Sequence, residues 1–252
     1  MIILLLLTIS CQTSEEQSHA AKNESHENPI NQISQTWRQV DSIDLALINR
    51  DLKKDYLTLD VGIYFPSNFD TAFHKVTLNR LLESFKAAKE IYRPTGVQLN
   101  LLWVKSGWLD PKYFSIQANQ LPSTPTTEYV NMYQHMRRKP TQPTSETLEA
   151  FKAIVEPHDD NKRTIYLIAL QDVFYPFLEV SEGRNWVIKT VRTGGLSFPS
   201  YMYVQTLPEA FRGVITISNL QREDRFRRTV AHEIGLKATV RRKRSSPCRA
   251  IR

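Results

Sequence analysis

The sequence predicts a mixed α/β domain, a variant of the α+β class, with a twisted and mostly parallel sheet and a helix directly after its last strand. Three observations favour it. A strand, a helix and a second strand follow one another between residues 56 and 104. An unbroken apolar run lies at 164–170, and a short strand at 213–218 leads into a helix. A strand, crossover helix and strand in this order indicate a right-handed parallel unit.

The first three elements are read from hydrophobic periodicity. Apolar and polar residues alternate over Tyr56–Phe65, which is typical of a half-buried strand. The helix over Lys75–Arg93 carries one apolar stripe at spacings of three and four residues and stops at Pro94 and Gly96. The second strand, Val97–Val104, becomes apolar on both faces, as in a strand that is covered on both sides.

The second half of the chain begins with a long proline-punctuated segment. Residues 105–163 are interpreted as an insertion or long crossover with two short helices, near 128–138 and 145–155. A buried central strand is predicted at 164–170, and Gly194-Gly195 opens a segment, Leu196–Gln205, that is expected along a sheet edge. The last strand precedes a helix over Asp224–Gly235, whose core-facing residues are expected to be Phe226, Val230, Ala231 and Ile234.

The N-terminus has the character of an export signal. The run MIILLLLTIS is too short to span a bilayer as a helix but has the length of a signal-peptide apolar region. Cys11, which follows it, resembles the lipid-accepting cysteine of bacterial lipoproteins. This resemblance implies secretion across the cytoplasmic membrane and a lipid anchor at the cell envelope. An ordinary cleaved signal with an incidental cysteine is the alternative.

A polar segment separates this signal from the folded part. Residues 12–44 contain few large apolar side chains and are predicted to form a flexible tether, with the folded domain at 45–235. The formal net charge of +7 lies in the last stretch, since residues 237–252 hold seven cations and no acid. The rest of the chain is balanced, so no nucleic-acid partner is expected.

The helix near the C-terminus contains the most informative short sequence. Residues 229–235 read TVAHEIG, with His232 and Glu233 side by side. In the zinc motif His-Glu-x-x-His, two imidazoles one helical turn apart hold the metal, and the glutamate accepts a proton from the metal-bound water. The segment resembles the active-site helix of the zincin metallopeptidases, more particularly of the metzincin branch.

The resemblance extends to the order of elements. A strand, a long helix, a second strand, a buried third strand, an edge segment and a strand running into the His-Glu helix is the order expected for the N-terminal half of a metzincin catalytic domain. It implies that His232 corresponds to a zinc ligand and Glu233 to the general base. It also implies zinc as cofactor and a peptide or protein as substrate in intact relatives.

The resemblance fails at the next residue. Leu236 occupies the position of the second histidine, and residues 236–252 contain no His, Asp or Glu. Peptidase activity is therefore not expected of the chain as written, and residues 236–252 are interpreted as an aberrant basic tail from a shifted or truncated reading frame. The alternatives are a natural helix end with a capped or buried His232 and a solvated Glu233, a non-catalytic secreted or lipid-anchored binding protein, and a basic-tailed interaction protein.

Overall fold

The computed structural model describes residues 37–69, 75–120, 142–156, 164–180, 186–199, 203 and 207–242. In this part of the chain the fold is mixed α/β, with a mostly parallel sheet and four α-helices, which confirms the predicted class at that level. The helices are α1 (Leu45–Asn49), α2 (Leu78–Tyr92), α3 (Ser145–Ile154) and α4 (Glu223–Arg242). The strands are β1 (Arg38–Gln39), β2 (Leu57–Pro66), β3 (Val97–Gly107), β4 (Ser115–Gln117), β5 (Ile165–Ala169), β6 (Asp172–Val180), β7 (Trp186–Thr193), β8 (Gly195–Ser197) and β9 (Val214–Ile217).

The main sheet has six strands in the order β1-β3-β2-β5-β9-β8. The inner strands β3, β2, β5 and β9 are parallel, and the outer strands β1 and β8 pair antiparallel to their neighbours. All five residues of β5 are buried, as its apolar run predicted. A second sheet has the order β4-β6-β7, with β6 and β7 antiparallel.

Hydrophobic cores lie on both faces of the main sheet, because successive residues of a strand point to opposite faces. Ile63 belongs to a core that also contains residues of α2 and α4, whereas its neighbour Tyr64 belongs to a second core that contains residues of α3. The first core includes Phe226, Val230, Ala231 and Ile234, which confirms the predicted apolar face of the last helix.

Helix ends are set by caps that refine the predicted bounds. The hydroxyl of Thr77 accepts a hydrogen bond from the backbone N–H of Arg80, so α2 begins after Thr77 rather than at Lys75. Gly96 adopts the left-handed conformation, with φ of 73°, and ends the turn that follows α2. The side chain of Thr144 caps α3 in the same way, at the position of the second predicted short helix.

The described fold differs from the prediction at both ends of the domain. It already includes Trp37, which is buried, and β1, which pairs with β3, so residues before the expected start at Leu45 belong to the fold. This start was missed from the sequence because a two-residue strand and one buried aromatic residue are too short to show a hydrophobic period. At the other end, α4 continues past Gly235 to Arg242.

The middle of the chain is partly described. The β6–β7 hairpin was not predicted, and the edge strand β8 confirms the first residues of the predicted edge segment. Residues 121–141, which include the other expected short helix, and residues 1–36, with Cys11 and most of the expected tether, lie outside the described residues. No helix of the described residues is long and apolar enough to cross a membrane.

Candidate functional site

The candidate site lies where α4 passes the edge strand β8. The chain leaves β9 and turns into α4 through residues 218–222, and this turn is fixed to Gly194 immediately before β8. The backbone N–H groups of Ser218 and Asn219 both donate to the carbonyl oxygen of Gly194, at 2.9 and 3.1 Å. The start of α4 and the start of β8 are therefore held together by backbone hydrogen bonds.

A side-chain hydrogen bond joins helix α2 to helix α4. The hydroxyl of Tyr92 donates to the carbonyl oxygen of Ala231 at 2.6 Å. A Cβ atom at Gly235 would lie 2.8 Å from the same hydroxyl oxygen, so only a glycine leaves room for this contact. Burial raises the pKa of Tyr92 to about 12, which keeps the phenol neutral and able to donate. The glycine of the His-Glu-Ile-Gly sequence thus has a packing role.

Glu233 is buried between α4 and β8. Its relative exposure is 6%, although glutamate is one of the residues that are least often buried without a partner. Gly195 of β8 makes the space, because a Cβ atom there would lie 3.0 Å from Cγ and 3.1 Å from Oε1 of Glu233. The absence of a side chain at Gly195 allows the carboxyl group to lie against the strand backbone.

The surroundings of this carboxyl group alter its proton affinity. Burial raises the pKa of Glu233, and this effect outweighs the opposing influence of the nearby His232 and of hydrogen bonds from the hydroxyl and backbone of Ser197. Within the described residues, its Oε2 atom is buried without a hydrogen-bond partner. A carboxyl group with a raised pKa and an unpaired oxygen is chemically suited to accept or release a proton.

His232 is exposed on the same turn of α4. Of the alternative with a capped or buried His232 and a solvated Glu233, the buried histidine and the solvated glutamate are therefore wrong. They fail because residue 233, and not residue 232, falls on the helix face that carries Phe226 and Val230.

The described residues do not complete a zinc site around His232. Position 236, one turn after His232 on the same helix, is a leucine. Among the residues that the structure describes, no group of three or more His, Cys, Asp or Glu side chains is arranged to hold a metal. The other histidines and the two cysteines of the chain lie outside the described residues: His19, His26, His74, His135, His158, Cys11 and Cys248.

Sequence reasoning identified the two residues at the centre of the site but missed their supports. The structure brings Glu233 together with Gly195 and Ser197 of β8. The Gly194-Gly195 pair was a visible signal, since paired glycines mark close backbone approach as well as turns.

Comparisons with known proteins do not identify a relative. A scan against protein-family models found no family that matches the chain, and a search of the curated proteins found no match.

Proposed function

We propose that this chain is a member of the zinc metallopeptidase class, with a metzincin-like domain, whose metal site is incomplete. In this proposal the chain has the scaffold for peptide-bond hydrolysis but does not catalyse it in its present form. The observation that carries the proposal is the buried carboxyl group of Glu233, beside an exposed His232, on the helix that follows the last strand of the sheet.

The order of elements supports the proposal. Strand β2, helix α2, strands β3 and β5, edge strand β8, strand β9 and helix α4 occur in this order along the chain, with β4, α3, β6 and β7 between some of them. This order is consistent with the one that the resemblance implies. The long helix and the His-Glu helix contribute to one core on the same face of the sheet. The antiparallel strand β8 lies beside β9 at the end of the sheet, next to Glu233.

The state of Glu233 fits the role of a proton acceptor. A general base works best when its pKa lies close to the working pH, and burial moves the pKa of Glu233 in that direction. The unpaired Oε2 atom leaves one oxygen available for a proton. His232, exposed beside it, occupies the position of the first metal ligand in the motif.

The missing ligands explain why catalysis is not proposed for the chain as written. One imidazole does not hold zinc tightly, and residues 236–252 offer no His, Asp or Glu to complete the site. Seven cations in residues 237–252 would also repel a divalent cation. We propose a shifted reading frame after Gly235 as the origin of this stretch, because the motif and the charge balance fail together.

The chain's location is proposed from its first residues. The signal-like N-terminus supports secretion, and Cys11 supports a lipid anchor at the cell envelope. A non-catalytic binding protein at the same location is the competing function, in which His232 and Glu233 have no reaction to perform.

Two measurements test the proposal. The gene is resequenced across the codons for Gly235 and Leu236, and the following bases are translated in all three frames. The proposal expects another frame to supply a histidine at position 236, then a glycine and a third ligand. The zinc content of the full chain is measured after dialysis, and the proposal expects well under one ion per chain. A confirmed Leu236 with no ligands in any frame would favour the binding protein instead.

A further inference from the structure

A groove of about 610 Å³ lies away from the candidate site, and its lining includes neither His232 nor Glu233. One wall is formed by α1 and the loop after it, and the other by the outward face of α2. Residues at the start of β3 contribute to it, and Phe226 and Arg227 of α4 complete the lining. The volume is in the range of cavities that hold a small organic ligand.

Both apolar and positively charged side chains line the groove. Its apolar surface comes from side chains of α1, the loop after it and the start of β3, which include Leu47, Ile48, Leu52 and Val97, whereas the lining residues Leu99 and Phe226 are buried. Leu47, which lines this concave surface, is 56% exposed. A ligand with an apolar body would remove this side chain from water.

The charges of the lining are unequal. Six cations and three acids line the groove. Two of the acids are already paired, Asp51 with Arg50 at 3.8 Å and Glu90 with Arg93 at 3.6 Å. Glu83 is the third acid. The surplus of cations gives the groove a positive potential, because exposed ion pairs cancel one another over short distances.

Apart from Lys89, three of the lining cations have no ion-pair partner within the described residues: Lys53, Lys86 and Arg227. Lys53 and Arg227 lie over aromatic rings, at 5.1 Å from the centre of Tyr56 and 5.8 Å from that of Phe226, respectively. Such contacts hold a cation in place without neutralising its charge.

Lys89 adds a fourth positive group. Its Nζ donates to the carbonyl oxygen of Ile48 and so joins α2 to α1. Burial lowers the pKa of Lys89, although the nearby Asp51 and Glu90 act in the opposite direction. The local carboxylates therefore do not compensate fully for the desolvation of this ammonium group.

From the shape, the apolar interior and the surplus cations, we propose that this groove binds an amphipathic anion, a molecule with one acidic head group on an apolar chain. The apolar chain covers Leu47 and its neighbours, and the head group lies among Lys53, Lys86 and Arg227. This binding is independent of zinc and of the proposed peptidase ancestry, since none of the groove residues belongs to the His-Glu pair.

The test measures binding of decanoate to the full chain by titration calorimetry. Decyltrimethylammonium and decyl maltoside, which have the same alkyl chain with a cationic and a neutral head, are titrated in parallel. We expect saturable binding of decanoate, at least about tenfold tighter than binding of the other two, and weakening as salt is added. No saturation by decanoate, or equal binding of all three amphiphiles, would overturn the proposal.

Neighbouring residues supply matched control variants. The K53A/R227A pair removes two lining cations, and the K54A/R228A pair removes two exposed cations next to them in sequence that do not line the groove. We expect at least about a tenfold loss of decanoate affinity in the first pair and less than about a twofold change in the second. Equal losses in both pairs would mean that the charge acts non-specifically, and the groove would be rejected.

The apolar part has its own control. Leu47→Ser is compared with Leu57→Ser, because both leucines are more than half exposed, at 56% and 52%, but only Leu47 lines the groove. We expect about a threefold or greater loss of affinity for Leu47→Ser alone.

Vesicles of neutral phosphatidylcholine, with and without an anionic phospholipid, form the last arm of the test. Charge-dependent vesicle binding without decanoate binding would assign these cations to a membrane surface and overturn the groove proposal.

Discussion

At the scale of single residues, the contact between Tyr92 and Gly235 determines how α2 and α4 meet. The phenol hydroxyl donates to Ala231 and fills the space that a side chain at Gly235 would need. Gly235 lies inside α4, where alanine would otherwise be about 1 kcal/mol more favourable than glycine. We therefore expect the two residues to be energetically coupled.

The first prediction is that Gly235→Ala changes the free energy of unfolding in opposite directions with and without the Tyr92 hydroxyl. Gly235→Ala in the natural chain should destabilise the fold by about 1 kcal/mol, because steric overlap and loss of the hydrogen bond exceed the gain in helix propensity. In a Tyr92→Phe background the hydroxyl is absent, and the same change should stabilise by up to about 1 kcal/mol. Urea denaturation of the four proteins measures this cycle. Equal effects in the two backgrounds would show that Tyr92 and Gly235 do not interact.

The second prediction concerns alkaline pH. The pKa of Tyr92 is raised to about 12 in the fold, against about 10 in an unfolded chain. Between these values the unfolded state loses its proton first, so the folded state binds more protons and stability falls as the pH rises. The contribution is fully present below pH 10 and lost above pH 12.

Denaturation between pH 9 and pH 12 should give a shallower decline for Tyr92→Phe than for the natural chain. Some decline should remain in the variant, because burial also raises the pKa of Tyr64. Identical pH profiles for the two proteins would contradict the assigned environment of Tyr92.

The burial of Glu233 was within reach of the sequence but was not predicted. Glu233 lies seven residues after Phe226 and three after Val230, which are the spacings of one helix face. By resemblance Glu233 is expected to be a general base, with a solvated residue as the alternative, and neither expectation includes the glycine and serine of β8 that accommodate the carboxyl group. Burial of an acid depends on what another strand provides, and one helix does not contain that information.

At the scale of elements, β8 and α4 form the candidate site through close approach. A methyl group at Gly195 would lie 3.0 Å from Cγ of Glu233 and 3.2 Å from Cγ2 of Thr229. Both atoms belong to a helix that is fixed in a core, so the strand has little freedom to move away.

The third prediction follows from this approach. Gly195→Ala should destabilise the fold by about 1–3 kcal/mol. In a Glu233→Ala background the cost should be smaller, because Cγ and the carboxyl group are gone and only the contact with Thr229 remains. Thermal or urea denaturation measures both changes, and an equal cost in both backgrounds would show that the carboxyl group does not lie against β8.

Elements with strong hydrophobic periodicity in their own sequence were predicted well. Elements that depend on pairing with another strand were not. Strands β2, β3, β5 and β9 and helix α2 were found within a few residues because each carries an unbroken apolar pattern. The β6–β7 hairpin was missed in part because Pro176 lies inside β6. Pro176 lies after the three residues of β6 that pair with β4. At Pro176 only β7 is a neighbouring strand within the described residues, so the proline does not interrupt hydrogen bonding on the other side.

At the scale of the whole molecule, the fold and the metal chemistry point in different directions. The element order and the buried Glu233 support the proposed metallopeptidase scaffold, whereas the described residues hold no group of three or more side chains that could bind a metal. The resemblance and the break in its motif were both read from the sequence, because a motif can be read as broken without knowing the fold around it. The sequence could not predict the groove, whose lining residues come from α1, the loop after it, α2, β3 and α4.

The fourth prediction concerns the lipid anchor. Full-length chain produced in a bacterium that modifies lipoproteins should partition into the detergent phase of a Triton X-114 extraction. The Cys11→Ser variant should move to the aqueous phase, because the thioether that carries the lipid cannot form. Cys248→Ser, which removes the other of the two cysteines, is the matched control and should stay in the detergent phase. Equal partitioning of the Cys11 variant and the natural chain would rule out lipidation at Cys11.

The most direct measurement is the zinc affinity of the Leu236→His variant. Helix α4 continues through position 236, so a histidine there would lie one turn from His232 on the same face. We expect Leu236→His to bind zinc at least about tenfold more tightly than the natural chain, and we expect His232→Ala in that background to abolish the gain. No gain in affinity, or a gain that persists without His232, would contradict the assignment of α4 as a metallopeptidase helix with an incomplete metal site.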